Sequence, residues 1–257
     1  MCIDFFVSHS KEIKHTIAIP LSQTLSSLGF NTWIDQKWIT TGTSIYQEIE
    51  NAISKSTYCI AIIDEAFLSR KWPQKELQLF REKNNNKHKN NILPIYVNLN
   101  KLTVYKTLSW LENQAFEELK NNHFNNYADL EIICRIVGRY YGDIISTSLE
   151  KIAHEFSGYT FSCKNTLMIL LNNKEYFSTD LRIAIIDICN IGGVVYAIYK
   201  SLTKSPNQII DICFRFCNML RDACFDTDYP LSYSMYTAAS NSIVAAMEQL
   251  KVLLNVC

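Results

Sequence analysis

The chain has 257 residues, 48% of them hydrophobic and 12% aromatic, which is enough to bury a full core in one large domain or two small ones and too apolar for a disordered protein. Lys plus Arg equals Asp plus Glu at 25 each, so no global field favours a polyanion or an anionic membrane, and nucleic acid is not the expected partner. Nine cysteines would suggest disulfides behind a secretion signal, but MCIDFFVSHSKEIKH has no basic region followed by an apolar run and a small-residue cleavage site; the expectation is reduced thiols in a cytoplasm.

The first half alternates element types. IDFFVSHS is a short apolar run of β-formers, and a helical pattern follows from Ile19 to Leu28, ended by Gly29. FNTWID predicts a second strand, SIYQEIENAISKS an amphipathic helix, and TYCIAIID a third, fully buried strand. In SRKWPQKELQLF, Pro73 suits the first position of a helix and pushes the preceding Trp72 out of helical geometry, while Leu77 and Phe80 recur at helical spacing. Trp72 therefore falls at the helix entrance and Glu76 about one turn in. KNNNKHKNN is a solvated loop and ILPIYVNL a fourth strand. Strands and helices alternating at this pitch predict a parallel sheet covered on both faces, and in such sheets ligands bind beyond the carboxyl ends of the strands.

Those ends carry Ser8, His9 and Ser10 after the first strand, Asp35 after the second, and Asp64 and Glu65 after the third. Between the second strand and its helix, DQKWITTGTS places Gly42 before Thr43 and Ser44, where backbone N–H groups can face a phosphate at a helix start; one glycine is not a dinucleotide-binding fingerprint. Near the positive end of its helix dipole, Glu76 is favoured in the ionised form, with the Trp72 ring beside it to wall off water. The same residues also read as a surface glutamate that serves the dipole next to a half-buried tryptophan.

From Leu149 onward the apolar residues recur at three and four, as in Ile209, Cys213, Phe216 and Leu220, and again in Ile243, Met247, Leu250 and Leu254. SGYTFS, TKSPNQ and DTDYPLS mark turns, so four or five helices fit this half at usual helix lengths. LRIAIIDICNIGGVVYAIY reads as a buried helix, or a helix pair broken near Gly192 and Gly193. Arg182, Asp187 and Asn190 interrupt the clean run that a membrane-spanning helix needs, so no membrane role is expected. Cys213, Cys217 and Cys224 share a helical face with Phe216 and Leu220; buried packing is expected rather than a metal, because neither C-x-x-C spacing nor a clustered histidine accompanies them. SIVAAMEQLKVLLNV carries an apolar seam at spacings of four and three that serves either as ordinary core or as an oligomer face.

Taken in order, FFVSHS, LGFNTWID, ITTGTSIYQEIENAISKSTYCIAIID and FLSRKWPQKEL resemble the successive signature boxes of a bacterial TIR (Toll/interleukin receptor) domain. The resemblance implies an α/β fold, a flavodoxin-like parallel sheet of five strands over residues 1–148, with its last strand and helix between Asn121 and Tyr141. A smaller all-α domain over residues 149–257 follows, with a regulatory or oligomerisation role. Many members of the family cleave the bond between nicotinamide and ribose in NAD+, using a glutamate four residues after a tryptophan in the helix that follows the third strand. Here these look like Glu76 and Trp72. Departure of nicotinamide leaves an oxocarbenium-like ribose, and a fixed carboxylate in a water-poor site stabilises that charge as it develops. Pyridinium is already a good leaving group, so no general acid is needed.

The resemblance further implies that Ser8, His9, Asp35, Trp38 and Ser44 line the nucleotide cleft, with NAD+ as substrate and neither a separate cofactor nor a metal. Some members carry an aromatic or basic residue where Trp38 and Ser44 stand. Trp38 either stacks on adenine or nicotinamide or packs under its own loop. Asp35 either bonds a ribose hydroxyl or caps its loop, and His9 is either a base or a solvent-facing or hydrogen-bonded residue. The implied function is an NAD+ glycohydrolase or cyclase that makes ADP-ribose or a cyclic variant, as an antiphage effector or signal producer activated by oligomerisation through the TIR domain and the helical domain. The alternative is a non-enzymatic adaptor that works by TIR–TIR assembly through the loop from Gln36 to Ser44. A secreted effector has no supporting feature here.

Overall fold

The computed structural model describes residues 2–35, 44–85, 91–149, 151–152 and 180–256. Strand β1 (Ile3–His9) is buried along its five inner residues, as a strand flanked on both sides must be. A π-helical turn, Lys14–Ala18, runs directly into α1 (Ile19–Leu28), and Gly29 ends the helix at a left-handed φ of 103°. Then come β2 (Thr32–Trp33), α2 (Ile45–Lys55), β3 (Ser56–Ile63), α3 (Glu65–Ser69), α4 (Lys71–Asn85) and β4 (Ile92–Val97). The series ends with α5 (Lys101–Thr107), a 3-10 turn (Ser109–Leu111) and β5 (Glu117–Leu119).

All the pairings are parallel and the strand order is β2-β1-β3-β4-β5, the flavodoxin-like order. Side chains alternate across the sheet. Phe6 stacks on Trp33 at 4.8 Å on one face, in a core with Cys59, Ala61, Leu77 and Phe80, while Phe5 packs against Phe30 and Tyr58 on the other. The register pairs Ser8 with Ala61 and His9 with Ile62, so these two polar residues stand together at the carboxyl end of the central strands.

Three elements differ from the sequence expectation. Helix α4 starts at Lys71, not at Pro73, so Trp72 lies within its first turn; the first N–H groups of a helix have no partner in the helix, and a proline there removes nothing. The break ahead of it is Arg70, extended at φ −103° and ψ 135°, which separates α4 from α3, a short helix the periodicity did not resolve. Strand β5 lies at Glu117–Leu119, upstream of the expected window from Asn121 to Tyr141. With only Leu119 buried, it is a short, charged edge strand that offers no alternation to read. The helix of that window is present as α6 (Leu130–Gly142).

By packing, the chain forms two compact units, Met1–Asp129 and Leu130–Cys257. In the second, α7 (Leu181–Leu202), α8 (Gln208–Cys224) and α9 (Tyr233–Val256) pack on one another, and α9 also packs on α6. Helix α7 runs unbroken through Gly192 and Gly193. A Cβ at Gly192 would lie 2.8 Å from Sγ of Cys217, so this glycine permits the close approach of α7 and α8. By length and composition α7 could also cross a membrane, yet nearly half of its most apolar stretch is buried inside the protein. Cys189, Cys213, Cys217 and Cys224 are free thiols packed as core, and Ile243, Met247 and Leu250 of the α9 seam are buried. Asp180 caps α7 by accepting from the N–H groups of Arg182 and Ile183. The Arg182 guanidinium donates to the carbonyls of Cys224, Asp226, Thr227 and Tyr229, closing the turn after α8. The turn expected at SGYTFS lies outside the described residues.

Candidate active site

At the carboxyl end of β1, Ser8 is 1% exposed and its Oγ donates to Oε2 of Glu76 at 2.7 Å. The apolar face of α4, anchored by Leu77 and Phe80, turns the neighbouring Glu76 inward, where it is 8% exposed. Burial pushes the Glu76 carboxyl up from 4.5 to about 7; the Ser8 hydrogen bond opposes that rise, the charge of Asp35 adds to it, and a hydrogen bond from Trp72 opposes it. Loss of water thus outweighs the helix dipole, and the ionised form is reached at higher pH than the dipole alone suggests. On β3, the buried Cys59 thiol is raised above its ordinary value by burial first and then by the Glu76 charge.

Trp72 is 42% exposed and meets the Tyr46 ring edge-on at 6.3 Å, with the Lys75 ammonium 4.4 Å over that ring. Tyr46 has no motif that marks it in the sequence; only the docking of α4 beside α2 brings it to Trp72 and Lys75, which share α4.

A second group lies beside the first. The His9 side chain is 5% exposed, with Nδ1 at 3.2 Å from the Val7 carbonyl and Nε2 at 3.7 Å from Oδ1 of Asp35. Burial pulls the His9 pKa below its ordinary value, and Asp35 only partly offsets that, so His9 is neutral and enclosed and not solvent-facing. Asp35 also meets the Lys14 ammonium at 2.6 Å. Lys14 is absent from the sequence reading, since nothing in its local pattern shows that the π-helical turn aims it at a residue 21 positions further on. The Asp35 charge acts on Glu76 and links the two groups.

The remaining residues divide. Ser44 occupies the N-cap of α2, exposed and without a side-chain capping bond, while Trp38 lies outside the described residues. Asp64 is engaged structurally: Oδ2 accepts from Ser10 at 2.8 Å, and Oδ1 accepts from the Phe67 N–H, capping α3. Among the described residues no group of three His, Cys, Asp or Glu side chains is placed to hold a metal. A groove of about 510 Å³, lined by Ile3, Phe30, Trp33 and Lys55, lies at the amino end of β1 and shares no residue with the Glu76 site.

The family model for the TIR domain matches residues 5–127, a stretch that runs from within β1 through β5 and holds both groups just described. Residues 5–127 form a TIR domain. NAD(+) hydrolase TcpC of Escherichia coli is 35% identical over 111 residues, 43% of this chain and 36% of its own. The 2' cyclic ADP-D-ribose synthase AbTIR of Acinetobacter baumannii is 31% identical over 127 residues, 49% of this chain and 46% of its own. The 2' cyclic ADP-D-ribose synthase BtTIR of Bacteroides thetaiotaomicron is 35% identical over 98 residues, 38% of this chain and 34% of its own. The chain therefore spans less than half the length of these curated relatives, and the likeness falls on the TIR domain.

Proposed function

We propose that the TIR domain cleaves the bond between nicotinamide and ribose in NAD+, with Glu76 as the catalytic carboxylate. The observation that carries this reading is an enclosed carboxylate, held by Ser8 and flanked by an exposed indole, at the strand ends where an α/β sheet binds ligands. The names of the relatives, hydrolase and cyclic ADP-ribose synthase, agree with it, because both outcomes begin by breaking this bond.

Nicotinamide leaves as a neutral molecule with the bonding pair, and positive charge spreads over C1′ and the ring oxygen of ribose. Ionised Glu76, poorly solvated, stabilises that charge more than it stabilises the bound substrate. Water, or a hydroxyl or ring nitrogen of the same nucleotide, then attacks C1′, an attacking O–H losing its proton to solvent, to give ADP-ribose or a cyclic variant. The half-exposed Trp72 ring offers a stacking face, and Asp35 accepts a ribose hydroxyl. Ser8 acts through Glu76, His9 packs behind Asp35, and Trp38 and Ser44 are the further substrate contacts of this reading. Activity needs the deprotonated carboxylate and so rises with pH through about 7.

On the same reading the enzyme works in the cytoplasm as an antiphage effector or signal producer. Residues 1–148 supply the chemistry, and residues 149–257 regulate it or join copies of the chain. The test is chromatography of NAD+ incubated with the purified chain at high concentration, with and without a crowding agent. Release of nicotinamide that Glu76→Ala abolishes is expected. Release that survives Glu76→Ala removes Glu76 from the mechanism, and intact NAD+ in every condition, crowded ones included, favours an assembly function.

A further inference from the structure

Lys14, the ion-pair partner of Asp35, has no place in the chemistry derived above. Oδ1 of Asp35 is enclosed, whereas its side chain as a whole is 40% exposed, so the exposed part of the side chain lies away from Oδ1. Lys14 meets Oδ1 at 2.6 Å as an ion pair without a directed hydrogen bond, and its own side chain is only 16% exposed. His9 Nε2 approaches the same oxygen at 3.7 Å. A half-buried ammonium is held there by the π-helical turn Lys14–Ala18, a local widening of the kind that recurs at functional sites.

We propose that Lys14 is a positioning residue of this site: its ammonium pins Oδ1 of Asp35 and leaves Oδ2 turned outward as the acceptor for a hydroxyl of the substrate ribose. This rests on the NAD+ reading for the identity of the substrate, but the geometry has a consequence that is independent of it. Asp35 places a negative charge within reach of Glu76, and Lys14 balances that charge. The groups around Glu76 are Ser8 from β1, Cys59 from β3, Trp72 from α4 and Asp35 after β2; behind Asp35 stand His9 and Lys14, and Asp64 acts on His9. Removing Lys14 leaves Asp35 uncompensated, which makes Glu76 harder to ionise; removing the Asp35 charge makes it easier.

The test has two arms on the full chain. In the first, the carboxyl carbon of Glu76 is followed by NMR against pH without substrate, in wild type, Lys14→Met, Lys14→Arg and Asp35→Asn. The midpoint is expected to rise in Lys14→Met, stay at the wild-type position in Lys14→Arg, and fall in Asp35→Asn. In the second arm, nicotinamide release is measured above the midpoint. Lys14→Met is expected to raise KM about tenfold, the scale of one weakened charge-assisted hydrogen bond, with kcat changed far less, and Lys14→Arg to restore it. A purely structural lysine would lower stability and leave both the midpoint and KM in place, and that result overturns the proposal. If Lys14→Met does not fold, an unmoved midpoint in Asp35→Asn overturns it equally. If wild type releases no nicotinamide, the NAD+ reading fails while the NMR arm still decides whether Lys14 and Asp35 set the state of Glu76.

Discussion

A carboxylate enclosed at the cost of its hydration makes the native protein less stable than it would be with a neutral group in its place. Glu76→Gln tests this directly. Glutamine keeps the volume and can still accept from Ser8, so the change removes little besides the charge. Glu76 titrates at about 7 in the folded protein against an ordinary value of 4.5. Between those two values the native state holds a proton that the unfolded chain has released, so stability falls as pH rises through the window, and the full penalty is present above it. At about 1.4 kcal/mol per pH unit the difference amounts to roughly 3 kcal/mol, an upper bound of the usual size for a desolvated carboxylate. Urea titrations of wild type and variant at several values between pH 4.5 and 8 should give a stability gap that is small at the acid end, widens through pH 6 and levels off above about 7. A gap that stays constant from pH 5 to 8 would refute the reasoning, because it would mean that Glu76 titrates alike in both states.

Other consequences are equally open to measurement. Ser8→Ala removes the donor that favours the ionised form, so the midpoint of Glu76 should move above about 7 and stability should fall by roughly 1 kcal/mol; pH-dependent nicotinamide release and urea titration read the two effects. Gly192→Ala forces a methyl against Cys217 and should destabilise the helical unit by about 1–3 kcal/mol in thermal melts, whereas Gly193→Ala, with nothing within 4 Å, should be neutral or stabilise by up to about 1 kcal/mol. Arg182→Ala strips the carbonyls of Cys224, Asp226, Thr227 and Tyr229 of a shared donor, at a cost of roughly 2 kcal/mol, and hydrogen exchange should quicken first in the turn after α8.

Much of the sheet unit was legible because its signals are local. The buried run of β3, the stop at Gly29 and the spacing of Leu77 and Phe80 each report the environment of their own segment. The first turn of α4 misled because the rule for a residue before proline describes a bias, which the docking of Glu76 and Leu77 overrides. Strand β5 escaped because two of its three residues are glutamates, and Gly192 suggested a break because a sequence does not show which neighbour a missing side chain makes room for. At the candidate site, Glu76 and Trp72 follow from one motif. Ser8 as the partner of Glu76, and Lys14 as the partner of Asp35, are relations between segments that the sequence lists far apart.

Ser8 and Glu76 are 68 positions apart, and that separation acts as a clock during synthesis. At roughly 5–20 residues per second, about 3 to 14 seconds elapse between the emergence of one partner and the other. Throughout that interval β1 lies without α4, and once Glu76 emerges it stays in water with ordinary acidity until the helix docks. A ribosome-bound fragment therefore exposes a common surface glutamate, and the enclosed carboxylate comes into being only with the finished sheet. On the proposed NAD+ chemistry, the fold itself delays the reaction until the elements that enclose Glu76 are all present.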